Sequence, residues 1–199
     1  MLSIPRGLSL TESVIALFIG VSVVIASTSA SLHLHHKITT LTHSMQIQEE
    51  WLTLTQFITS QLQRAGYRAM NISDVIAVTH SPALPVVISK HPLSAQNSCV
   101  LFSNDKDRDG QWSTKSPSEH LGFRLYNQAL EYRVSNKACH AAGWFDMTDP
   151  NTTSVSKFDI KVAHQERDFV LLGITLHLNH KDCDAKAHHQ FFVKVQHAW

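Results

Sequence analysis

The chain has little net charge, little glycine or proline, and almost no cysteine for its length. Across 199 residues, 17 Lys+Arg nearly balance 16 Asp+Glu, giving a formal charge of +1. A charge this near zero leaves no electrostatic footprint for nucleic-acid binding. With 7 Gly and 6 Pro, collagen-like and low-complexity chains are excluded. Three cysteines are too few for a disulfide-dense scaffold. The 43% hydrophobic content is too high for global disorder. There is no Gly-rich phosphate loop, no Gly-x-Ser-x-Gly elbow and no His-Glu-x-x-His. Ser, His and Asp occur, but no spacing singles out a triad. The expectation is one ordinary domain with an appendage, and no enzymatic activity.

Two further absences are local. No Asp, Glu, Lys or Arg occurs from Ser13 to His36, and no Pro lies between Pro5 and Pro82. Leu8 to Ala30 is apolar enough, and at roughly 20 residues long enough, to span a bilayer. Arg6 is the only charged side chain before Glu12. By the positive-inside rule, the N-terminus stays cytoplasmic and the remainder is exported. A secretory signal peptide cleaved near Ala30 has similar parts: a short basic region, an apolar run and small residues at Ser27-Thr-Ser-Ala30. Glu12 argues against it. An ionised carboxylate at the mouth of an apolar run costs several kcal/mol in a bilayer, which makes it a functional residue by default. The plainer alternative is a side chain that snorkels to the membrane boundary.

Beyond His36 the pattern becomes amphipathic. Ile47, Trp51, Leu54, Ile58, Leu62 and Ala65 recur at helical spacing. Gly66 marks a C-terminal stop. The helix from Leu8 to Ala65 would be about 87 Å long, with Gly20 as a place to bend. Its second half needs a sheet to lie on. After Gly66 the helical period gives way to extended runs. These are Pro82–Lys90, Cys99–Phe102, Gly122–Tyr126, Leu130–Val134, a weaker Val155–Val162, Val170–Leu178 and Phe191–Val195. A hairpin is expected around Asn127–Ala129. With short turns and no helical pattern between the runs, the sheet should be antiparallel.

Arg6-Gly7-Leu8-Ser9-Leu10-Thr11-Glu12 followed by the apolar run resembles the class III signal of type IV prepilins and type II secretion pseudopilins. That resemblance implies cleavage by a prepilin peptidase between Gly7 and Leu8. It also implies N-methylation of Leu8, and Glu12 as the fifth mature residue. Leu8 departs from the Phe most common at that position. The new α-amino group, with a reference pKa near 8, would be largely cationic. It can pair with Glu12 of a neighbouring subunit in a filament and offset the burial cost of both charges.

Further landmarks are Leu62-Gln-Arg-Ala-Gly-Tyr67, Cys99-Val-Leu-Phe-Ser-Asn-Asp105, Leu121-Gly-Phe-Arg-Leu125, and Cys139 followed by Gly143-Trp144. Together they resemble minor pilins of the PilW type, related to prepilin peptidase-dependent protein B and to J-type pseudopilins. The implied fold is α+β: a leader at 1–7, a transmembrane helix at 8–30, its amphipathic continuation at 31–65, and an antiparallel β head at 66–199. The implied function is a minor type IV pilin that primes assembly within a tip complex. Implied partners are other minor and major pilins, the prepilin peptidase and an inner-membrane assembly platform. The implied location is the inner membrane, then the filament. A J-type pseudopilin of a secretion or competence machine uses the same parts. A tip-located module that binds DNA or a surface is the alternative of another class.

Three cysteines allow three pairings, and simple buried thiols are the bland alternative. The resemblance favours Cys99–Cys139. That bond would close a loop of about 40 residues, on the order of 3–4 kcal/mol in the chain-entropy model, and leave Cys183 over.

Asp105-Lys-Asp107-Arg-Asp109-Gly110 offers oxygen donors at positions 1, 3 and 5 with Gly at 6, the first half of an EF-hand-like calcium loop. The Glu expected at position 12 is replaced by Ser116, and Glu119 lies three residues later. The alternative is a metal-free turn neutralised by Lys106 and Arg108. Histidine is plentiful, at 14. His180, Cys183, His188 and His189 are candidate soft-metal ligands, against a plainer reading as exposed histidines.

Overall fold

The computed structural model describes residues 9–69, 85–115, 117–166 and 168–196. The expected cleavage site at Gly7–Leu8, Ser116, and residues 82–84 of the first extended run lie outside them. The chain divides into two compact units, Met1–Thr42 and His43–Trp199.

In the first unit the structure is helical. The helix α1 (Leu10–Leu62) begins here. Among the described residues it is the one helix long and apolar enough to cross a membrane. Its hydroxyl side chains fold back on the backbone. Ser22 Oγ donates to Ile19 O (2.8 Å), Ser27 Oγ to Val23 O (2.7 Å) and Thr28 Oγ1 to Val24 O (3.0 Å). These bonds satisfy polar groups that would otherwise be costly in lipid.

The second unit is an α+β head. Its helical part buries Ile47, Leu54, Ile58 and Leu62, with Ala65 just beyond the helix end and Trp51 half-buried beside them. This is the stripe that the periodicity predicts. The helix stops because Gly66 adopts φ +81°, the left-handed region that ends helices. The Gly66 N–H then leaves the helix and donates to Ser103 O at 2.8 Å.

Among the described residues eight strands follow: β1 (Val86–Ser89), β2 (Cys99–Ser103), β3 (His120–Tyr126), β4 (Ala129–Arg133), β5 (Phe145–Asp146), β6 (Thr153–Gln165), β7 (Phe169–His180) and β8 (Lys186–Gln196). They form two antiparallel sheets rather than one, β1-β2-β3-β4-β5 and β6-β7-β8. Asn127 and Gln128, both at positive φ, make the β3–β4 turn. The sheets meet where Val155 N–H donates to Gln128 O (2.7 Å) and Ile160 N–H to Asn97 O (3.0 Å). One core runs under the helix and both sheets. It contains Val100, Leu121, Phe123 and Leu130 from the first sheet and Phe158, Ile160, Leu172, Ile174, Leu176 and Val193 from the second.

Candidate functional site

The start of α1 carries a reciprocal cap. Ser9 N–H donates to Glu12 Oε2 (2.8 Å), and Glu12 N–H donates to Ser9 Oγ (3.3 Å). Each side chain satisfies a backbone donor that the first helical turn leaves open. A carboxylate there also complements the positive end of the helix dipole. Glu12 thus has a local structural task in addition to the assembly task that the resemblance implies. The Ser-x-x-Glu spacing before an apolar run carried this signal in the sequence.

The acidic loop lies where the helix end meets the first sheet. Tyr67 O accepts from Asp105 N–H (3.0 Å) and from Trp112 Nε1–H (3.1 Å). The Arg68 side chain donates to Gly110 O. One ligand atom from each of Asp105, Asp107, Asp109 and Glu119 lies within 4.8 Å of the others, with Asp105 and Glu119 buried and the other two exposed. Glu119, rather than the residue at the twelfth position, completes the set.

The buried pair is heavily engaged by backbone donors. Asp105 accepts from Ala69 (2.8 Å), Arg108 (2.6 Å) and Gly110 (3.0 Å). Glu119 accepts from Lys106, Asp107 (3.3 Å) and Ser113 (2.9 Å). Burial pushes both carboxyls up. The peptide N–H groups outweigh it and hold both below their ordinary values. The loop's buried charge is therefore balanced chiefly by peptide dipoles. Asp107 and Asp109 each spend one oxygen on a local N–H, to residues 109 (3.2 Å) and 111 (2.7 Å). One oxygen from each of the four carboxylates converges, a hard-donor set suited in kind to calcium.

A second cluster holds the residues that carried the family landmarks. Cys99 and Cys139 are joined by a disulfide, the pair implied by the resemblance. Arg124, paired across the β2–β3 ladder with Cys99, is buried. Its guanidinium pairs with Glu131 and donates to Cys139 O (2.6 Å) and Ala141 O (2.9 Å). It also lies over the Trp144 and Tyr126 rings, 4.6 and 5.1 Å from their centroids. One cation thus pins the loop that the disulfide closes. Gly122 is required by packing, since a Cβ there would sit 2.6 Å from Val100 O and 3.0 Å from Arg133 Nε. Arg133 donates to Leu121 O (2.8 Å) and to Lys137 O, and burial lowers its pKa to about 10.

Of the histidine-rich tail, His180 ends β7, Cys183 lies in the turn, and His188 and His189 lie on β8. His188 and His189 are consecutive in β8, so their side chains take opposite faces. His188 stacks on His177 at 4.2 Å, and His189 meets Trp51 edge-on at 4.7 Å. His180 sits 4.6 Å from His43. The four soft-metal candidates are therefore not brought to one point. Cys183 is a free, half-buried thiol.

Residues 40–195 match the family described as PpdB: Prepilin peptidase-dependent protein B. The chain is also similar to the protein named Prepilin peptidase-dependent protein B of Escherichia coli (strain K12). Identity is 25% over 158 residues, covering 78% of this chain and 76% of the relative. No solved structure matches.

Proposed function

The chain belongs to the prepilin peptidase-dependent protein B family, and from that premise we propose that it is a minor pilin matured by the prepilin peptidase and built into a type IV pilus. The observation that carries this reading is its division of labour along one helix. The first part of α1 is apolar enough to sit in a bilayer, and its later part is docked through Ile47, Leu54, Ile58 and Leu62 onto an antiparallel head. The family match begins at residue 40, so the signal-like residues Arg6 to Glu12 support the reading independently. In this account residues 1–7 are the leader, Leu8 becomes the methylated N-terminus and residues 8–30 hold the subunit in the inner membrane. The head waits in the periplasm until the assembly platform and other minor and major pilins draw it into a filament, where it primes growth at the tip.

The intact mass of the membrane-extracted chain, from cells with and without the peptidase, checks this. The expected result is a chain starting at N-methyl-Leu8 only when the peptidase is present. A chain starting near Ser31 would mean a soluble exported domain instead.

Calcium in the acidic loop is a second reading, favoured by the convergence of four carboxylates. Millimolar calcium should raise the thermal midpoint of the head by about 2–4 °C over chelator. Replacing Asp107 and Asp109 with Asn should abolish that rise without lowering the midpoint in chelator. No rise in the unmodified chain would leave a metal-free turn held by peptide N–H groups.

A further inference from the structure

The second sheet ends on β8, an 11-residue strand. β7 pairs with one side of it from Asn179–Lys186 to Phe169–Gln196 without a register shift. Among the described residues no strand pairs with its other side. The opposite margin of the sheet differs, because β6 is tied into the head through Val155 and Ile160.

The direction of each peptide group on β8 follows from one bond. His180 N–H donates to Ala185 O at 2.9 Å, so residues 180 and 185 are a hydrogen-bonded pair. Such pairs alternate along an antiparallel ladder. Ala187, His189, Phe191, Val193 and Val195 therefore turn their peptide groups toward β7. Lys186, His188, Gln190, Phe192, Lys194 and Gln196 turn theirs outward. The bond from Gln48 Nε2 to Lys186 O (3.2 Å) agrees with this parity. The same six residues present exposed side chains on the face away from the core, with Phe192 56% exposed.

Sheet edges are commonly protected by proline, bulges, shortness or lysines, and of these β8 has only Lys186 and Lys194. β8 has no proline, no bulge against β7 and a full 11 residues. Its charge is also one-sided: two Lys, two His and no Asp or Glu. We propose that the outer edge of β8 receives an extended acidic segment of another polypeptide as an added antiparallel strand. Main-chain bonds to the five outward residues from His188 to Gln196 would supply affinity, since Gln48 already holds Lys186 O. A carboxylate opposite Lys194, on the exposed face, would set register; Lys186 already pairs with Asp184 at 3.4 Å. A second copy fits less well. β8 carries no Asp or Glu, so a second β8 would bring no carboxylate to Lys194. This surface lies on the head, and its test does not depend on how the N-terminus is processed.

The test uses the full chain in detergent micelles and synthetic 11-residue peptides that alternate Val with Glu or Val with Lys. Amide exchange is read residue by residue. The Glu peptide should slow exchange at Gln190, Phe192 and Lys194 at least tenfold, and the Lys peptide should not. Gln190→Pro removes an outward N–H without taking a bond from β7. It should abolish the protection while the β7 amides keep their rates. Lys194→Glu should reduce protection by the Glu peptide and transfer it to the Lys peptide. Three results would overturn the proposal: no protection by the Glu peptide, equal protection by both peptides, or concentration-dependent protection without peptide. The last would mean that a second copy fills the edge.

Discussion

Glu12 is where a structural and a functional task fall on one side chain. Its carboxylate caps α1 through the Ser9 N–H, and the proposed function also asks it to meet a neighbour's α-amino group. The two tasks separate chemically. Glutamine caps a helix nearly as well as glutamate but carries no charge. Glu12→Gln should therefore keep the chain in the membrane at normal abundance and lower its recovery in filaments at least tenfold. A Glu12→Gln chain recovered in filaments at the normal level would reduce Glu12 to a capping residue. Much at this scale was legible. Asp105, Asp107 and Asp109 were visible from their spacing. The loop template lacks its last ligand at Ser116, and Glu119, the substitute that the sequence offers three residues later, is the carboxylate that the chain delivers on its way into β3. Nor does spacing show that backbone N–H groups already occupy the buried carboxylates. Only the tertiary approach of Ala69 and Ser113 reveals that.

Among the elements, the helix was the most legible. Its stripe is strictly periodic, and every position in it meets the core. Ile58 is fully buried at its centre. Ile58→Ala should destabilise the head by about 2–5 kcal/mol, read as a lower urea midpoint by near-ultraviolet circular dichroism. A change within a few tenths would mean that the helix does not dock through this face. The strands were legible where alternation is clean, as in β7, which buries every second residue from Val170 to Leu178. β6 was weak in the sequence because register shifts at Val155/Lys157 and Val162/His164 interrupt its period. β8 was seen only from Phe191 onward. Its first half puts Ala187 and His189 on the inner face, which hides the apolar pattern. β5 has two residues, too few for any pattern. The division into two sheets was not legible either, because it depends on which edges meet rather than on any strand's composition.

Over the whole molecule, the proposed filament role rests on the uncharged N-terminal stretch and on the helix stripe from Ile47 to Leu62 that docks on the head. The family match covers residues 40–195, while residues 6–12 carry the resemblance to a prepilin signal on which the proposed processing rests. The central claim is that this chain leaves the membrane as a filament subunit. Its most direct test is mass spectrometry of filaments sheared from the cell surface. The account predicts that peptides of this chain, beginning at methylated Leu8, appear there at a small fraction of the bulk subunit, and that they vanish when the prepilin peptidase is removed. A chain found only in the membrane, with filaments assembling normally in its absence, would contradict it.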